Sequence, residues 1–227
     1  MSIMQYGLLG GKLGHSLSPK IHELFFKYTG ITGSYQLLET ELEALPARLE
    51  AMRSTFAGSN VTIPHKIAVM PMLDGIAPEA KAIGAVNTIK FTEAGAFGYN
   101  TDYFGFGRML EYNDIAITGK VAVVLGSGGA ARAVMKYLAD KEAAQIYLVT
   151  RDVTSVDEHF LEIAPSCKVI NYAEVESIKG DVIINCTPVG MYPKVEAAPV
   201  AAQEIWQGQQ YDSDLIVKIM AELERNI

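Results

Sequence analysis

A short apolar run that leads into a glycine-rich turn is the feature that most constrains the fold of this chain. Val121–Leu125 is wholly apolar, which is typical of a strand buried on both faces. The segment Gly126-Ser127-Gly128-Gly129-Ala130-Ala131 follows directly and opens a helical pattern. A strand, a glycine turn and a helix in this order form a dinucleotide-binding fingerprint. The chain is therefore predicted to contain a Rossmann-like domain.

Each position of this turn has a physical role in binding a dinucleotide. Gly126 permits a sharp turn after the strand, and Gly128 lets a pyrophosphate approach the backbone. Ala131 is small enough for the helix to pack closely on the strand. The phosphates would be bound by backbone amides at the helix N-terminus. The cofactor-binding residues predicted in the turn are Gly126, Ser127, Gly128, Gly129 and Ala130.

The end of the next predicted strand, residues 144–149, bears on which dinucleotide is bound. An acidic residue at this point would accept hydrogen bonds from the ribose hydroxyls of NAD. Here the strand is followed by Thr150 and Arg151, and a guanidinium suits the 2′-phosphate of NADP. Asp152 follows at once, so a solvated pair of Arg151 and Asp152 is an alternative. Thr150 and Arg151 are predicted to bind NADP, and NAD stays possible.

Composition and charge exclude several classes of partner. The chain has 227 residues, of which 49% are hydrophobic and 20% charged, as in an ordinary globular enzyme. The net charge of -7 argues against nucleic acid and against anionic membranes. Cys167 and Cys186 lack metal-type spacing, so neither a metal site nor a disulfide framework is expected. Met1–Gly10 does not read as a signal peptide, so a cytoplasmic location is predicted.

The first hundred residues alternate strand and helix patterns, which is the signature of an α/β layer. Strands are predicted at residues 6–9, 34–38 and 60–63, helices at 18–28 and 41–52, and a hairpin at 88–91 and 96–99. The apolar stripe of the first helix is predicted to consist of Ile21, Leu24 and Phe25.

The segment Asn60-Val61-Thr62-Ile63-Pro64-His65-Lys66 alternates apolar and polar residues until Pro64 blocks further pairing. A helix can then begin, and the amide of Asn60, the hydroxyl of Thr62 and the ammonium of Lys66 reach one corner. A small polyhydroxylated acid needs such a set, with hydrogen bonds for its hydroxyls and a cation near its reacting oxygen. The alternative is a strand end with a solvated lysine.

Several separated motifs together resemble the shikimate dehydrogenase family, which includes quinate/shikimate dehydrogenases, over nearly the whole chain. The motifs are His15-Ser16-Leu17-Ser18-Pro19, Asn60 to Lys66, Gly84-Ala85-Val86-Asn87-Thr88, Gly98-Tyr99-Asn100-Thr101-Asp102 and Asn185-Cys186-Thr187-Pro188-Val189-Gly190-Met191. The resemblance implies NADP-dependent reversible reduction of 3-dehydroshikimate to shikimate, in aromatic amino acid biosynthesis.

The resemblance also assigns roles to individual residues. It implies that Ser16 and Ser18 hold the substrate carboxylate and that Asn87 binds a substrate hydroxyl. Ser18 also lies where a helix N-cap is expected. Lys66 and Asp102 are implied as the catalytic pair, because the carboxylate can orient the ammonium that exchanges a proton with the substrate oxygen.

The resemblance implies two α/β domains with the active site in the cleft between them. Residues 1–101 plus 206–227 would bind substrate, and residues 102–205, Thr187 included, would bind the nucleotide. Two rival functions stay open, a quinate/shikimate dehydrogenase that uses NAD and a catalytically silent regulator that binds NADP or shikimate. The protein is predicted to be a monomer or a homodimer.

The C-terminal part departs from the family pattern. A further strand and a glycine turn leading to a substrate-binding glutamine are implied after Met191, and neither is present. The sequence instead predicts a junction near Pro199–Val200, where a family segment is missing. Either the printed sequence omits that segment or the gene carries a deletion, and we favour omission because a deletion should leave an exposed core. A final helix is predicted at residues 212–227.

Overall fold

The structure is a computed structural model, and it describes residues 4–14, 16–191 and 194–200. The chain forms two compact units that divide between Thr101 and Asp102. The predictions made for residues 201–227, including the final helix, lie outside the described residues. Among the helices of the described ranges, none is long and apolar enough to cross a membrane.

The first unit is built on a six-stranded mixed sheet with the order β2-β1-β3-β5-β6-β4. Its strands are β1 (Met4–Gly10), β2 (Gly33–Glu39), β3 (Phe56–Val61), β4 (Gly75–Ile76), β5 (Thr88–Thr92) and β6 (Gly95–Tyr99). Its helices are α1 (Ser18–Thr29), α2 (Leu45–Arg53), α3 (His65–Ala68) and α4 (Pro78–Ile83). β1 pairs in parallel with β2 and β3, and the predicted hairpin adds β5 and β6 as antiparallel strands.

Two boundaries in this unit differ from the prediction. β3 ends at Val61, so Ile63 is 63% exposed instead of continuing the buried side of the strand. The helix predicted from residue 41 begins at Leu45, after the 3-10 turn Leu42–Ala44. A proline in the first turn of α2 explains this start, because its fixed φ suits the first helical positions.

The apolar stripe predicted for α1 is wrong. Leu24 is 46% exposed and Phe25 is 52% exposed, and Ile21 is only half-buried. The rings of His22 and Phe26, one turn apart, instead contact aromatic side chains of β2 and β1. The helix therefore presents a mixed aromatic face to the sheet, which a count of aliphatic residues does not reveal.

The second unit contains a four-stranded parallel sheet with the order β10-β7-β8-β9. Its strands are β7 (Val121–Leu125), β8 (Gln145–Thr150), β9 (Lys168–Asn171) and β10 (Val182–Asn185). Its helices are α5 (Asp102–Tyr112), α6 (Gly129–Asp140) and α7 (His159–Ile163). The strand, turn and helix predicted at the glycine-rich segment are confirmed, and the fold is of the predicted α/β class with a Rossmann-like unit.

The core of the second unit lies between this sheet and the helices. Ala131, Met135 and Leu138 are fully buried at helical spacing on α6 and form the face that packs on the sheet. Leu148 of β8 and Phe160 of α7 are also fully buried and join the same cluster. This packing fixes α6 and α7 with respect to the carboxyl ends of the strands.

Burial should make the two cysteine thiols differ in reactivity. Burial raises the pKa of Cys167 from 9.0 to about 11, whereas Cys186 is only half-buried. At pH 8 the thiolate fraction of Cys167 is then roughly 100-fold below that of an ordinary thiol. We expect iodoacetamide at pH 8 to label Cys186 first, and labelling of Cys167 to rise only as the pH approaches 11. Peptide mass spectrometry measures both rates, and equal labelling at pH 8 would contradict the burial argument.

Candidate active site

The glycine-rich turn of the second unit adopts a conformation that requires glycine. Gly126 has a φ of 95°, in the left-handed region, and its amide donates to the carbonyl of Val149 at 2.8 Å. A Cβ atom on Gly126 would lie 2.8 Å from Cγ2 of Thr187, closer than real Cβ contacts. The sharp turn predicted at Gly126 is thus observed, and it brings the turn against Thr187.

The start of α6 fits the pyrophosphate of a dinucleotide. A Cβ atom on Gly128 would meet nothing within 4 Å, so the backbone faces open space there. Gly128 is the N-cap residue of α6, and no side chain caps the helix. The first amides of α6, which include those of Gly129 and Ala130, have no partner four residues earlier in the helix. A phosphate group in the open space would accept hydrogen bonds from them.

The loop after β10 is held by the side chain of Asn185. Its Oδ1 accepts hydrogen bonds from the amide of Thr187 at 2.9 Å and from its hydroxyl at 2.7 Å. Its Nδ2 donates to the carbonyl of Val189 at 2.8 Å. These bonds fix Thr187 beside the glycine turn, so two of the segments predicted to bind cofactor lie together in the second unit.

The segment after β8 carries Arg151 and Asp152, whose charges favour different dinucleotides. Asp152 accepts hydrogen bonds from the amide of Thr154 at 2.9 Å and from its hydroxyl at 2.6 Å, and these bonds lower the pKa of Asp152. Arg151 is exposed, and within residues 4–14, 16–191 and 194–200 no ion pair joins it to Asp152. The Asp152 carboxylate is occupied by its own turn, whereas Thr150 ends the strand nearly buried. Both side chains are exposed to solvent, and the binding of NADP by Thr150 and Arg151 stays a prediction.

In the first unit, Asn87 is the centre of a buried polar cluster. It is 7% exposed, and its Oδ1 accepts from the amide of Thr101 at 2.9 Å and from the hydroxyl of Thr88 at 3.0 Å. Its Nδ2 donates to the hydroxyl of Thr101 at 2.9 Å. These bonds fix the orientation of the amide that was predicted to bind a substrate hydroxyl.

The cluster continues to Asn60 and Ser18 through Tyr35, which the sequence did not identify. The hydroxyl of Tyr35 donates to Oδ1 of Asn60 at 2.7 Å, and Nδ2 of Asn60 contacts the hydroxyl of Thr88 at 3.4 Å. Burial raises the pKa of Tyr35, and the side chain of Ser18, which lies close to the phenol, lowers it in part. Hydrogen bonds thus connect Asn60 and Asn87, two of the predicted substrate-binding residues, and Ser18 lies close to the same cluster.

The start of α1 corrects one prediction and places another residue. Leu17 is the N-cap residue and makes no side-chain capping bond, so Ser18 is the first helical residue and not the cap. The hydroxyl of Ser16 instead accepts from the amide of Ser18 at 3.2 Å. Ser16 and Ser18 therefore lie together at the helix start, and His15 of the same motif lies outside the described residues.

Backbone hydrogen bonds and a buried histidine fix the segment that carries Lys66. The amide of Thr62 donates to the carbonyl of Leu9 at 2.9 Å, which places Thr62 against β1. His65 is fully buried, and its Nε2 donates to the carbonyl of Thr40 at 2.7 Å. The carbonyl of Lys66 accepts from the amide of Val86 at 2.8 Å, so the backbone of Lys66 lies beside the connection between α4 and β5 that carries Asn87.

The first unit therefore gathers most of the residues predicted to bind substrate. Ser16, Ser18, Asn60, Thr62, Lys66 and Asn87 all lie at the ends of its strands or helices. Asp102 is the first residue of α5 and of the second unit. Its pairing with Lys66 stays a prediction.

A Rossmann-like unit with an uncapped glycine turn, joined to an α/β unit with a fixed polar cluster, defines the class of two-unit nucleotide-dependent dehydrogenases. A family model described as the shikimate dehydrogenase substrate binding domain matches residues 8–89. The chain is 50% identical over 198 residues to a shikimate dehydrogenase (NADP(+)) of Clostridium beijerinckii, covering 86% of this chain and 72% of the relative. The chain belongs to the shikimate dehydrogenase family.

Solved structures of the family share the fold. Shikimate dehydrogenase 1 of Peptoclostridium difficile is 34% identical with a TM-score of 0.83, over 99% of both chains. Shikimate 5-dehydrogenase of Thermus thermophilus, solved in complex with NADP(H) and shikimate, is 35% identical with a TM-score of 0.76. That match covers 89% of this chain and 75% of the other.

Proposed function

We propose that this protein is an NADP-dependent oxidoreductase that catalyses the reversible reduction of 3-dehydroshikimate to shikimate, in aromatic amino acid biosynthesis. The observation that carries the proposal is the hydrogen-bonded cluster of Tyr35, Asn60 and Asn87 beside the Lys66 segment. It offers fixed hydrogen bonds to a small polyhydroxylated acid. The names of the relatives support the same reaction.

In the proposed mechanism, each residue has a separate task. Ser16 and Ser18 hold the substrate carboxylate, and Asn60, Thr62 and Asn87 bind its hydroxyls. NADPH, when bound along the glycine turn, supplies the hydride for the substrate carbonyl carbon.

The acid–base step belongs to the two catalytic residues. The Lys66 ammonium donates a proton to the carbonyl oxygen as negative charge develops on it, and accepts the proton in the reverse direction. In the proposal Asp102 orients this ammonium and stabilises its charge. Arg151 is exposed just after β8 and would bind the 2′-phosphate of NADP through its guanidinium. Small molecules are the expected partners of the protein.

Kinetics with two substrates and two cofactors test the proposal. Shikimate and quinate are each assayed with NADP and NAD, following nicotinamide reduction by the purified protein. The highest kcat/KM is expected for shikimate with NADP. Higher values with quinate and NAD would show a quinate/shikimate dehydrogenase, and binding without turnover would show a regulator.

The substitution Tyr35→Phe should weaken substrate binding without affecting the cofactor. The phenol fixes Oδ1 of Asn60 as an acceptor, so its loss lets the amide rotate. We expect the KM for shikimate to rise about tenfold, with kcat and the KM for NADP nearly unchanged. Steady-state kinetics in both substrates measure this.

A matched variant and a double mutant separate this effect from general loss of packing. Tyr6→Phe is the matched variant. Within the described residues, the hydroxyl of Tyr6 bonds only the sulfur of Met4, at 3.6 Å, so the kinetics of Tyr6→Phe should match those of wild type. In an Asn60→Ala background, Tyr35→Phe should add little further effect, because its target is gone. An additive effect in the double mutant would refute the role assigned to Tyr35.

A further inference from the structure

A buried arginine lies close to the glycine turn and has no task in the mechanism above. Arg132 is on the first turn of α6, and its side chain is only 4% exposed. A buried guanidinium is costly unless a charge and hydrogen bonds compensate for it. Its Nε atom has no hydrogen-bond partner within the described part of the chain. Packing of α6 on the sheet does not explain the choice of a charged residue at position 132.

The charge of Arg132 is compensated by a residue from the loop after β8. Its Nη2 donates to Oδ2 of Asp157 at 2.6 Å. Oδ1 of the same carboxylate accepts from the amide of His159 at 2.9 Å, at the start of α7. The guanidinium also lies over the ring of Phe160, at 5.1 Å from its centroid. The loop at residues 151–158 is thus fastened to α6 at its far end.

This pair connects two segments that are predicted to bind different parts of a dinucleotide, the pyrophosphate and the 2′-phosphate. The amide of Arg132 bonds the carbonyl of Gly128 at 3.4 Å, within the turn that fits the pyrophosphate. The loop that Asp157 holds begins at Arg151, the residue predicted to bind the 2′-phosphate of NADP. Arg132 itself is too deeply buried to be that contact, whereas Arg151 is exposed.

We propose that Arg132 is a positioning residue for cofactor selection. Through Asp157 it holds loop 151–158 so that Arg151 meets the 2′-phosphate of NADP. The inference rests on the proposed use of NADP, and it deepens that proposal by naming how the selecting guanidinium is placed. Arg132 contributes little to the binding of NAD, which lacks the 2′-phosphate.

The substitution Arg132→Met tests the inference. Methionine has a similar length and removes the buried charge, and the Asp157 carboxylate that it leaves is 54% exposed, so water can solvate it and the fold should persist. We expect the KM for NADP to rise about tenfold and the KM for NAD to change by less than about twofold, with an unaltered thermal midpoint. The selectivity for NADP over NAD thus falls about tenfold.

Lys136→Met provides the matched control, because Lys136 is one turn further along α6 and pairs with Asp140 away from the loop. It removes the same charge from the same helix and should leave the selectivity unchanged. If Lys136→Met lost as much selectivity for NADP as Arg132→Met, the net charge of the helix would explain the effect, and the inference would be overturned.

A second variant keeps the inference testable if Arg132→Met fails to fold. Asp157→Asn retains an acceptor for the amide of His159 but removes the charge that faces Arg132. It should also lower the selectivity for NADP, with reduced thermal stability because a buried cation is left uncompensated. Selectivity at the wild-type ratio in both variants, or equal losses with NADP and NAD, would overturn the inference. A wild-type enzyme that does not prefer NADP would instead refute the proposed cofactor.

Discussion

Replacing Lys66 by alanine is expected to lower kcat for shikimate oxidation by about 10³-fold, within the range for loss of a general acid–base group. In the proposed mechanism, the Lys66 ammonium is the only cation placed at the reacting oxygen of the substrate. Truncation leaves the hydrogen bond from the amide of Val86 to the carbonyl of residue 66, so α3 and its neighbours should keep their structure. Because the lost interaction belongs to the transition state, the KM for shikimate should change far less than kcat.

Lys81→Ala is the control for this experiment. Lys81 is exposed on α4 of the same unit, so its removal changes the net charge equally without touching the cluster. Its kcat should equal that of wild type, and circular dichroism should show both variants folded. A folded Lys66→Ala enzyme that retains wild-type kcat would remove Lys66 from the mechanism.

Gly126→Ala should both destabilise the second unit and weaken the binding of NADP. The residue must hold a φ of 95°, which costs an alanine about 1–3 kcal/mol. The added Cβ would also lie 2.8 Å from Cγ2 of Thr187, so the loop held by Asn185 must shift. We expect the free energy of unfolding to fall by about 2–3 kcal/mol and NADP affinity to fall at least about tenfold.

Gly128→Ala is the matched comparison because its new Cβ meets nothing within 4 Å and its φ is -88°. Its stability should be close to that of wild type, yet NADP affinity should still fall, since the methyl group enters the space that fits the pyrophosphate. Urea unfolding and fluorescence titration measure the two quantities. Equal stability of the Gly126 and Gly128 variants would contradict the strain argument.

Features that depend on short stretches of sequence were predictable. The apolar strand and glycine turn at residues 121–131 and the hairpin around Gly95 carry their own local signals, and both are observed. The burial of Ala131 also follows from its position between helix and strand. The sequence pattern was sufficient to predict these elements, because residues close together in the sequence determine them.

Features that depend on strand order were not predictable from periodicity. Tyr35 is on β2 and Asn60 is on β3, and the two strands flank β1 in the sheet, which brings the phenol within reach of the amide. No local sequence pattern encodes this strand order. The buried charge of Arg132 was missed for a similar reason, since a helical arginine normally indicates a solvated surface. In both cases the hydrogen-bond partner lies 25 residues away in the sequence.

The pairing of Lys66 with Asp102 and the junction near Pro199–Val200 stay predictions. The first concerns residues from two separate units, and the second adjoins residues outside the described ranges. Relatives such as the Clostridium beijerinckii enzyme extend beyond the matched part, since the match covers 72% of that protein. Activity of the purified chain would show that the residues present are sufficient for catalysis.

Direct transfer of deuterium is the measurement that tests the central claim. Shikimate deuterated at the carbon that is oxidised would be mixed with NADP and the purified protein, and the nucleotide analysed by mass spectrometry. We predict that NADPH carries the deuterium, and that the Lys66→Ala variant forms it far more slowly. Binding of both ligands with no deuterium in the nucleotide would contradict the proposed reaction and identify the protein as a catalytically silent regulator.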